Sequence, residues 1–306
     1  MSTILISGIS GFVGQNLLQY LSEKGENVHG VGRKAVGSAI KSWEQLFKAS
    51  DAAECWIHLA GKAHDVQGVS DESAYEKANF LLTKQLFDAF LASEATTFIF
   101  MSSVKAAADE VTGVLDESVL AQPQTAYGKS KLKAEQYLLA QPLANKRLYI
   151  LRPCMIHGPG NKGNLNLLYK FVKTGLPYPL AAFDNQRSFL SIENLCFIIY
   201  KLIHSEAPSG IYQLADDKAI STNALLGLIG ESLGKKARLW ALPKNWVTTI
   251  AGLGDRLSLP LNSDRLKKLT QSYVVNNQKI KTTLGINLPQ TTEEGLKHTL
   301  KHFRHG

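Results

Sequence analysis

The sequence predicts an α/β fold: a doubly wound parallel sheet with a smaller C-terminal lobe. Three observations predict it. Short apolar runs alternate with amphipathic stretches through the first half of the chain, and a glycine-rich turn joins the first run to the first amphipathic stretch. After Pro153 the texture changes, and Gly, Pro and Asn become frequent. Strands covered by helices on both faces read as continuous apolar runs, which is the pattern of a parallel sheet.

In chain order, the first strand is Thr3–Gly8, followed by a helix over Phe12–Lys24. Strands follow at Asn27–Gly32 and Cys55–Gly61. A long helical pattern occupies Glu72–Ala92, then a strand at Thr97–Ser103, a helix over Ala126–Ala140 and a strand at Arg147–Pro153. Each assignment rests on the switch between an unbroken apolar run and helical periodicity. Residues 1–153 are expected to form the main domain, to which segments within 188–220 return, the strand-like "GIYQLA" among them. Residues 154–187 and 221–306 form the lobe.

The bulk composition sets limits. Of 306 residues, 44% are hydrophobic and 20% charged, an ordinary globular balance. The opening "MSTILISGISGF" has no basic leader, and no stretch approaches the ~20 apolar residues of a membrane span. A cytoplasmic protein with no membrane partner is therefore expected. Cys55, Cys154 and Cys196 are widely spaced and odd in number, which argues against a disulfide framework or a zinc cluster, and no metal is expected. The formal charge is +8, but Lys and Arg are scattered and no nucleic-acid motif is present. Nucleic acid is not expected as a partner; phosphorylated small ligands are.

"SGISGFVGQNLL" places Gly8, Gly11 and Gly14 between the first strand and the first helix. Glycines there permit a tight turn and let phosphates approach the amides of a helix N-terminus. Gly8, Ser10, Gly11, Phe12, Val13 and Gly14 are accordingly expected to cradle a dinucleotide of the Rossmann type. The second strand ends "GVGRK", so Gly32 stands where an acidic residue usually binds the ribose of NAD. A carboxylate there would repel a 2′-phosphate, whereas Arg33 can grip one, with Lys34 beside it. This favours NADP(H) and leaves NAD(H) as the alternative. Further on, "QTAYGKSKLKAEQYL" sets Tyr127 and Lys131 one helical turn apart. An ammonium beside a phenol favours phenolate, and a tuned phenol exchanges protons readily.

With "GISGFVG", "HLAG", "MSSV", "YGKSK" and "LRP" in this order, the chain resembles the extended short-chain dehydrogenases/reductases, the NAD-dependent epimerase/dehydratase group. The resemblance covers almost the whole chain. It implies that Tyr127 is the catalytic acid/base, that Lys131 holds the nicotinamide ribose and lowers the phenol's pKa, and that Ser103 bonds the reacting sugar oxygen, with Ser102 beside it. It also implies that Leu59, Ala60, Gly61 and Pro153 line the cofactor channel and that Asn79 braces the central strands. A UDP-sugar would be held by Asn164, Arg187 and Arg265, with the apolar "GLPYPL" as a wall for the uracil. Arginine suits this role because its planar fork pairs with phosphate oxygens.

Two departures from the group's pattern matter. The Asp-Glu pair with which its dehydratases expel water is replaced by Val104 and Lys105, so dehydration is not expected. The Val-Tyr-Gly usual after the serine is absent, and Lys105 is left to meet an N-acetyl group or a phosphate. Two enzyme readings remain: a 4-ketoreductase making UDP-linked deoxy amino sugars for surface polysaccharide, favoured by Gly32-Arg33-Lys34, and a UDP-glucose or UDP-N-acetylglucosamine 4-epimerase. A non-catalytic NADP-binding regulator is a third, weakened because both Tyr127 and Lys131 are present. A homodimer is implied by resemblance alone.

Overall fold

The structure is a computed structural model that describes residues 3–32, 40–42, 53–62, 71–161, 163–257 and 262–305. Seven parallel strands form the main sheet: β1 (Thr3–Ser7), β2 (Asn27–Gly32), β3 (Ile40–Ser42), β4 (Cys55–His58), β5 (Thr97–Met101), β6 (Arg147–Pro153) and β7 (Gly210–Leu214). Their order across the sheet is β7-β6-β5-β4-β1-β2-β3. The chain thus winds outward from β1 in both directions, and the β1 and β4 C-termini open side by side. Strand β7, the expected returning segment, pairs with β6 at the sheet edge, from Gly210 opposite Tyr149 to Leu214 opposite Pro153.

Side-chain alternation sorts the core into two layers. Ile4, Ile6, Ile57, Ile99, Tyr149 and Leu151 face one way, against α1 (Phe12–Glu23) and α5 (Ile192–Ile203). Leu5, Trp56, Phe98, Phe100, Leu148 and Ile150 face the other way, against Phe87 and Phe90 of α2 (Leu82–Ala92) and Ala134 and Leu138 of α3 (Ala126–Leu139). The strands stop at Ser7, His58 and Met101, short of the expected ends, because the glycine and serine turns that follow leave the sheet to form the site. Two features went unread in the sequence. The short edge strand β3 has a single branched apolar residue to mark it. In the expected helix Glu72–Ala92, the stretch Glu76–Leu81 is π-helical and carries Asn79 fully buried.

The remaining helices are α4 (Asn164–Thr174), α6 (Thr222–Ser232), α7 (Lys244–Leu257), α8 (Ser263–Thr270), α9 (Gln278–Leu284) and α10 (Thr292–His305). A third core, with Leu165, Tyr169, Tyr178, Leu226, Ile229, Val247 and Leu296, holds α4, α6, α7 and α10 together as a separate lobe. No described helix is long and apolar enough to cross a membrane.

Candidate active site

The glycine loop explains its own composition. Gly8 has φ +75°, and a Cβ on it would lie 2.7 Å from the Ala60 amide nitrogen; a Cβ on Gly14 would lie 2.3 Å from the Gly8 carbonyl oxygen. Backbone therefore packs directly on backbone, and nothing larger fits. Gly11 starts α1 with no side-chain cap, which leaves the first-turn amides to an anion. A cradle that any Cβ would fill, ending at an uncapped helix N-terminus, fits a dinucleotide diphosphate. Within the loop Ser10 is exposed, while Phe12 and Val13 pack partly on the core. Arg33 and Lys34 lie outside the described residues.

Beneath the loop runs a chain of buried polar groups. The Ser7 hydroxyl accepts the amides of Leu59 and Ala60 at 3.1 and 3.2 Å and lies 2.6 Å from His58 Nδ1, so its proton goes to that nitrogen. The Thr83 hydroxyl donates to the Asn79 carbonyl and lies 2.9 Å from His58 Nε2, so this nitrogen carries the imidazole proton. Burial, reinforced by Lys131, pushes the His58 pKa down to about 3 and keeps the ring neutral. Sequence reasoning passed over His58. Its signal was a lone ionisable residue inside the apolar run "CWIHLA".

Asn79 ties the other wall. Its amide donates to the Lys62 carbonyl and the Ser130 hydroxyl and accepts the Lys62 amide, joining the turn after β4 to α3. A Cβ on Gly61 would press into that amide at 2.8 Å, which is why glycine stands there. The bracing expected of Asn79 is thus made between this turn and α3. Pro153 is buried at the end of β6, opposite Leu214.

Helix α3 begins at a Thr125 cap, whose hydroxyl accepts the Gly128 amide and bonds Asp109. That start fixes Tyr127, Lys131 and Glu135 on one face at successive turns. Tyr127 is hydrogen-bonded to Ser103 and lies edge-on to Tyr75 at 6.0 Å. Its pKa is raised, chiefly by burial, with the Ser103 bond opposing. This departs from the expectation of a depressed phenol because burial outweighs the Ser103 bond. The Lys131 ammonium donates to the Met101 carbonyl at 2.8 Å and sits 4.9 Å from the Phe100 ring. Lys131 is only 5% exposed, and burial, opposed by Glu135, lowers its pKa to about 8. Glu135 itself is locked: Arg152 Nε donates to it at 2.9 Å, and the buried Ser102 hydroxyl donates to it as well. Ser102, expected beside the substrate, is turned into the interior because this buried carboxylate needs donors. Ser103 faces the other way and caps the turn Val104–Ala106 by accepting the Lys105 amide.

From Ser103 the site extends into the lobe. Lys105 is partly buried, donates to the Asp109 carbonyl at 2.8 Å and sits 4.3 Å over the Tyr273 ring. Burial lowers its pKa, and the nearby cations Arg187 and Lys268 add to the lowering. Arg187 and Arg265 are brought together in one cavity of about 370 Å³, with Lys268, Leu165, Leu168 and Tyr178 in its walls. Arg187 bonds the Lys268 carbonyl through Nη2, yet its buried Nε finds no hydrogen-bond partner among the described residues. Tyr178, from the expected "GLPYPL" wall, does line this cavity. Asn164 starts α4 at its rim, though its side chain lies outside the described part. Among the described residues no cluster of His, Cys, Asp or Glu could hold a metal.

A glycine cradle, a Tyr-x-x-x-Lys helix and a serine at the adjoining strand end match one family model over residues 4–215: the NAD dependent epimerase/dehydratase family. The chain belongs to this family. With it the chain is an NAD-dependent enzyme of the extended short-chain dehydrogenase/reductase group. Among its relatives is a UDP-glucose 4-epimerase of Vibrio cholerae, 30% identical over 98% of this chain and 95% of its own length. Another is an N-acetyl-α-D-glucosaminyl-diphospho-ditrans,octacis-undecaprenol 4-epimerase of Escherichia coli O157:H7, 27% identical over 98% and 94%. The crystal structure of UDP-N-acetylglucosamine 4-epimerase from Bacillus cereus superposes with a TM-score of 0.80 at 19% identity, covering 99% of this chain and 100% of that one. MoeE5 in complex with UDP-glucose and NAD gives 0.78 at 19%, covering 99% of each. At such identity the superpositions speak for the fold.

Proposed function

We propose that the chain is a nicotinamide-dependent oxidoreductase acting at C4 of a UDP-hexose or UDP-N-acetylhexosamine, and that it runs as a 4-ketoreductase on a UDP-4-keto-6-deoxy-hexosamine. The observation that carries the reading is the Ser103–Tyr127 pair, with Tyr127 on the helix that bears the buried Lys131, and with Lys105 near Arg187 and Lys268 of the cavity that Arg265 also lines. When bound, the nicotinamide cofactor supplies or accepts the hydride. In the reductive direction Tyr127 delivers the proton to the sugar oxygen that Ser103 holds, and Lys131 holds the ribose side of the cofactor. Gly8, Gly11 and Gly14 seat the diphosphate of the cofactor, with Leu59, Ala60 and Gly61 along its channel. Arg187 and Arg265, with Asn164 at the α4 N-terminus, take the UDP diphosphate, for which the unbonded Nε of Arg187 has a donor to give.

The choice of reduction rests on the end of β2. Gly32 offers no carboxylate to a ribose, and the following Arg33 and Lys34 suit a 2′-phosphate, so NADP(H) is the proposed cofactor. Val104 and Lys105 leave no acid to expel water, which speaks against dehydration. The 4-epimerase reading is supported by the two relatives above, both 4-epimerases, and it uses the same residues. A cytoplasmic homodimer completes the proposal.

The experiment has two arms. NADPH and a UDP-4-keto-6-deoxy-N-acetylhexosamine are mixed with enzyme while absorbance of the reduced cofactor is followed. Separately, UDP-N-acetylglucosamine is incubated without added cofactor and examined for the C4 epimer. Consumption in the first arm and silence in the second is the expected result; the opposite pattern makes the chain an epimerase. Arg33→Ala should weaken NADPH binding far more than NADH binding, and equal losses would remove the cofactor argument.

A further inference from the structure

Helix α7 turns one apolar face inward and a second one outward. Val247 and Ala251 are buried in the lobe core, whereas Trp246, Ile250 and Leu253 are 68%, 51% and 50% exposed. Their spacing of four and three residues places them on one stripe. A surface helix ordinarily gives this face to charged residues. Here none interrupts it, because the helix has no charged residue between Lys244 and Asp255. Trp240, a few residues upstream, is exposed as well.

The chain leading into the stripe is cationic. Lys235, Lys236, Arg238 and Lys244 precede it, with no Asp or Glu between residues 232 and 254. Lys235, Lys236 and Arg238 line an open cavity of about 300 Å³ together with Leu176 and Leu239. Lys244 stands at the start of α7 with its ammonium 5.6 Å from the Phe183 ring. Outward Trp, Ile and Leu flanked by Lys and Arg are the composition of a helix lying in a lipid headgroup region. A second copy is a poor occupant, since a two-fold contact would set Lys235, Lys236, Arg238 and Lys244 against their own copies.

We propose that this face of the lobe rests on an anionic membrane surface, with Trp246, Ile250 and Leu253 at the headgroup–acyl boundary and the lysines against lipid phosphates. The expectation of no membrane partner was built on the lack of a spanning segment, which a surface-lying helix does not need. The inference is independent of the C4 chemistry.

The test is co-sedimentation of the full chain with vesicles of phosphatidylglycerol and phosphatidylcholine in equal parts, against vesicles of phosphatidylcholine alone. The chain should sediment with the anionic vesicles only, with a blue shift of tryptophan emission, and elute from them at high salt. The double substitution Ile250→Glu, Leu253→Glu should lower the bound fraction about tenfold or more, and Lys235→Gln with Lys236→Gln severalfold. Both variants should keep native circular dichroism and nicotinamide cofactor binding. Failure to bind anionic vesicles, or equal binding to neutral ones, overturns the proposal. So does a dimer, measured by light scattering, that the same glutamates dissociate, since the stripe would then belong to a second copy.

Discussion

Tyr127 and Lys131 share a helix face, but each is held by a different partner, and that separates what each does. Tyr127 is bonded to Ser103 and Lys131 to the Met101 carbonyl. Removing the phenolic hydroxyl should therefore cost the proton transfer and little else: Tyr127→Phe is expected to lower kcat/KM by about 10²–10⁴-fold, with cofactor affinity, measured by fluorescence titration, unchanged. Lys131 sets a pH limit. Its pKa lies near 8 because burial disfavours the charged form, so raising the pH through that value removes the ammonium. The expected profile of kcat/KM, which reports the free enzyme, falls above pH of about 8. Lys131→Arg, which stays charged, should lose that falling limb even with a lower plateau. The pairing of these two residues was legible in "YGKSK", since a four-residue spacing is a local property. The direction of the phenol's shift was not, because it depends on Tyr75 and on burial by segments distant in sequence. Ser102 misled for the same reason: nothing in "MSSV" says which serine meets Glu135.

Elements bring these residues to one place through a few tight joints. The turn after β1 is one of them. Because a Cβ on Gly14 would press on the Gly8 carbonyl and Ile9, Gly14→Ala must move the turn. Its expected effects are a loss of roughly 1–3 kcal/mol in stability by urea unfolding and a fall in affinity for the nicotinamide cofactor, read by fluorescence titration. The second joint is the buried Glu135–Arg152 pair with Ser102, which pins α3 to β6 and to the end of β5. Glu135→Gln leaves Arg152 as an uncompensated interior charge, and a destabilisation of about 3–5 kcal/mol is expected in the same measurement. The main strands and the first three helices were readable because unbroken apolar runs and helical periodicity are strong signals. Strand β3 was missed because three edge residues carry no pattern, and the π-helical stretch because its cause is tertiary: Asn79 must reach Lys62 and Ser130 at once.

At the scale of the whole molecule, the question is what couples the sheet that carries Tyr127 to the lobe that carries the arginines. Tyr273 is the most direct answer, and the sequence did not announce it. Its backbone bridges to Arg187 and bonds Gln186 and Ser188, while its hydroxyl donates to the Ala108 carbonyl at 2.7 Å and lies 3.3 Å from the Val104 carbonyl. Its ring supports the Lys105 ammonium. One side chain thus ties the strand that bears Arg187 to the loop that begins at Ser103. If the hydroxyl only filled space, Tyr273→Phe would change nothing but stability, by the ~0.5–1.5 kcal/mol of one hydrogen bond. If it sets the distance between the diphosphate end and the reacting end of the substrate, the loosened loop should appear in substrate binding. The expected outcome is a severalfold rise in KM for the nucleotide sugar, with kcat and cofactor affinity held. An unchanged KM alongside the stability loss would reduce Tyr273 to packing, and the sheet and the lobe would have to be aligned by the short parallel pairing of Val114–Leu115 with Val274–Val275 instead.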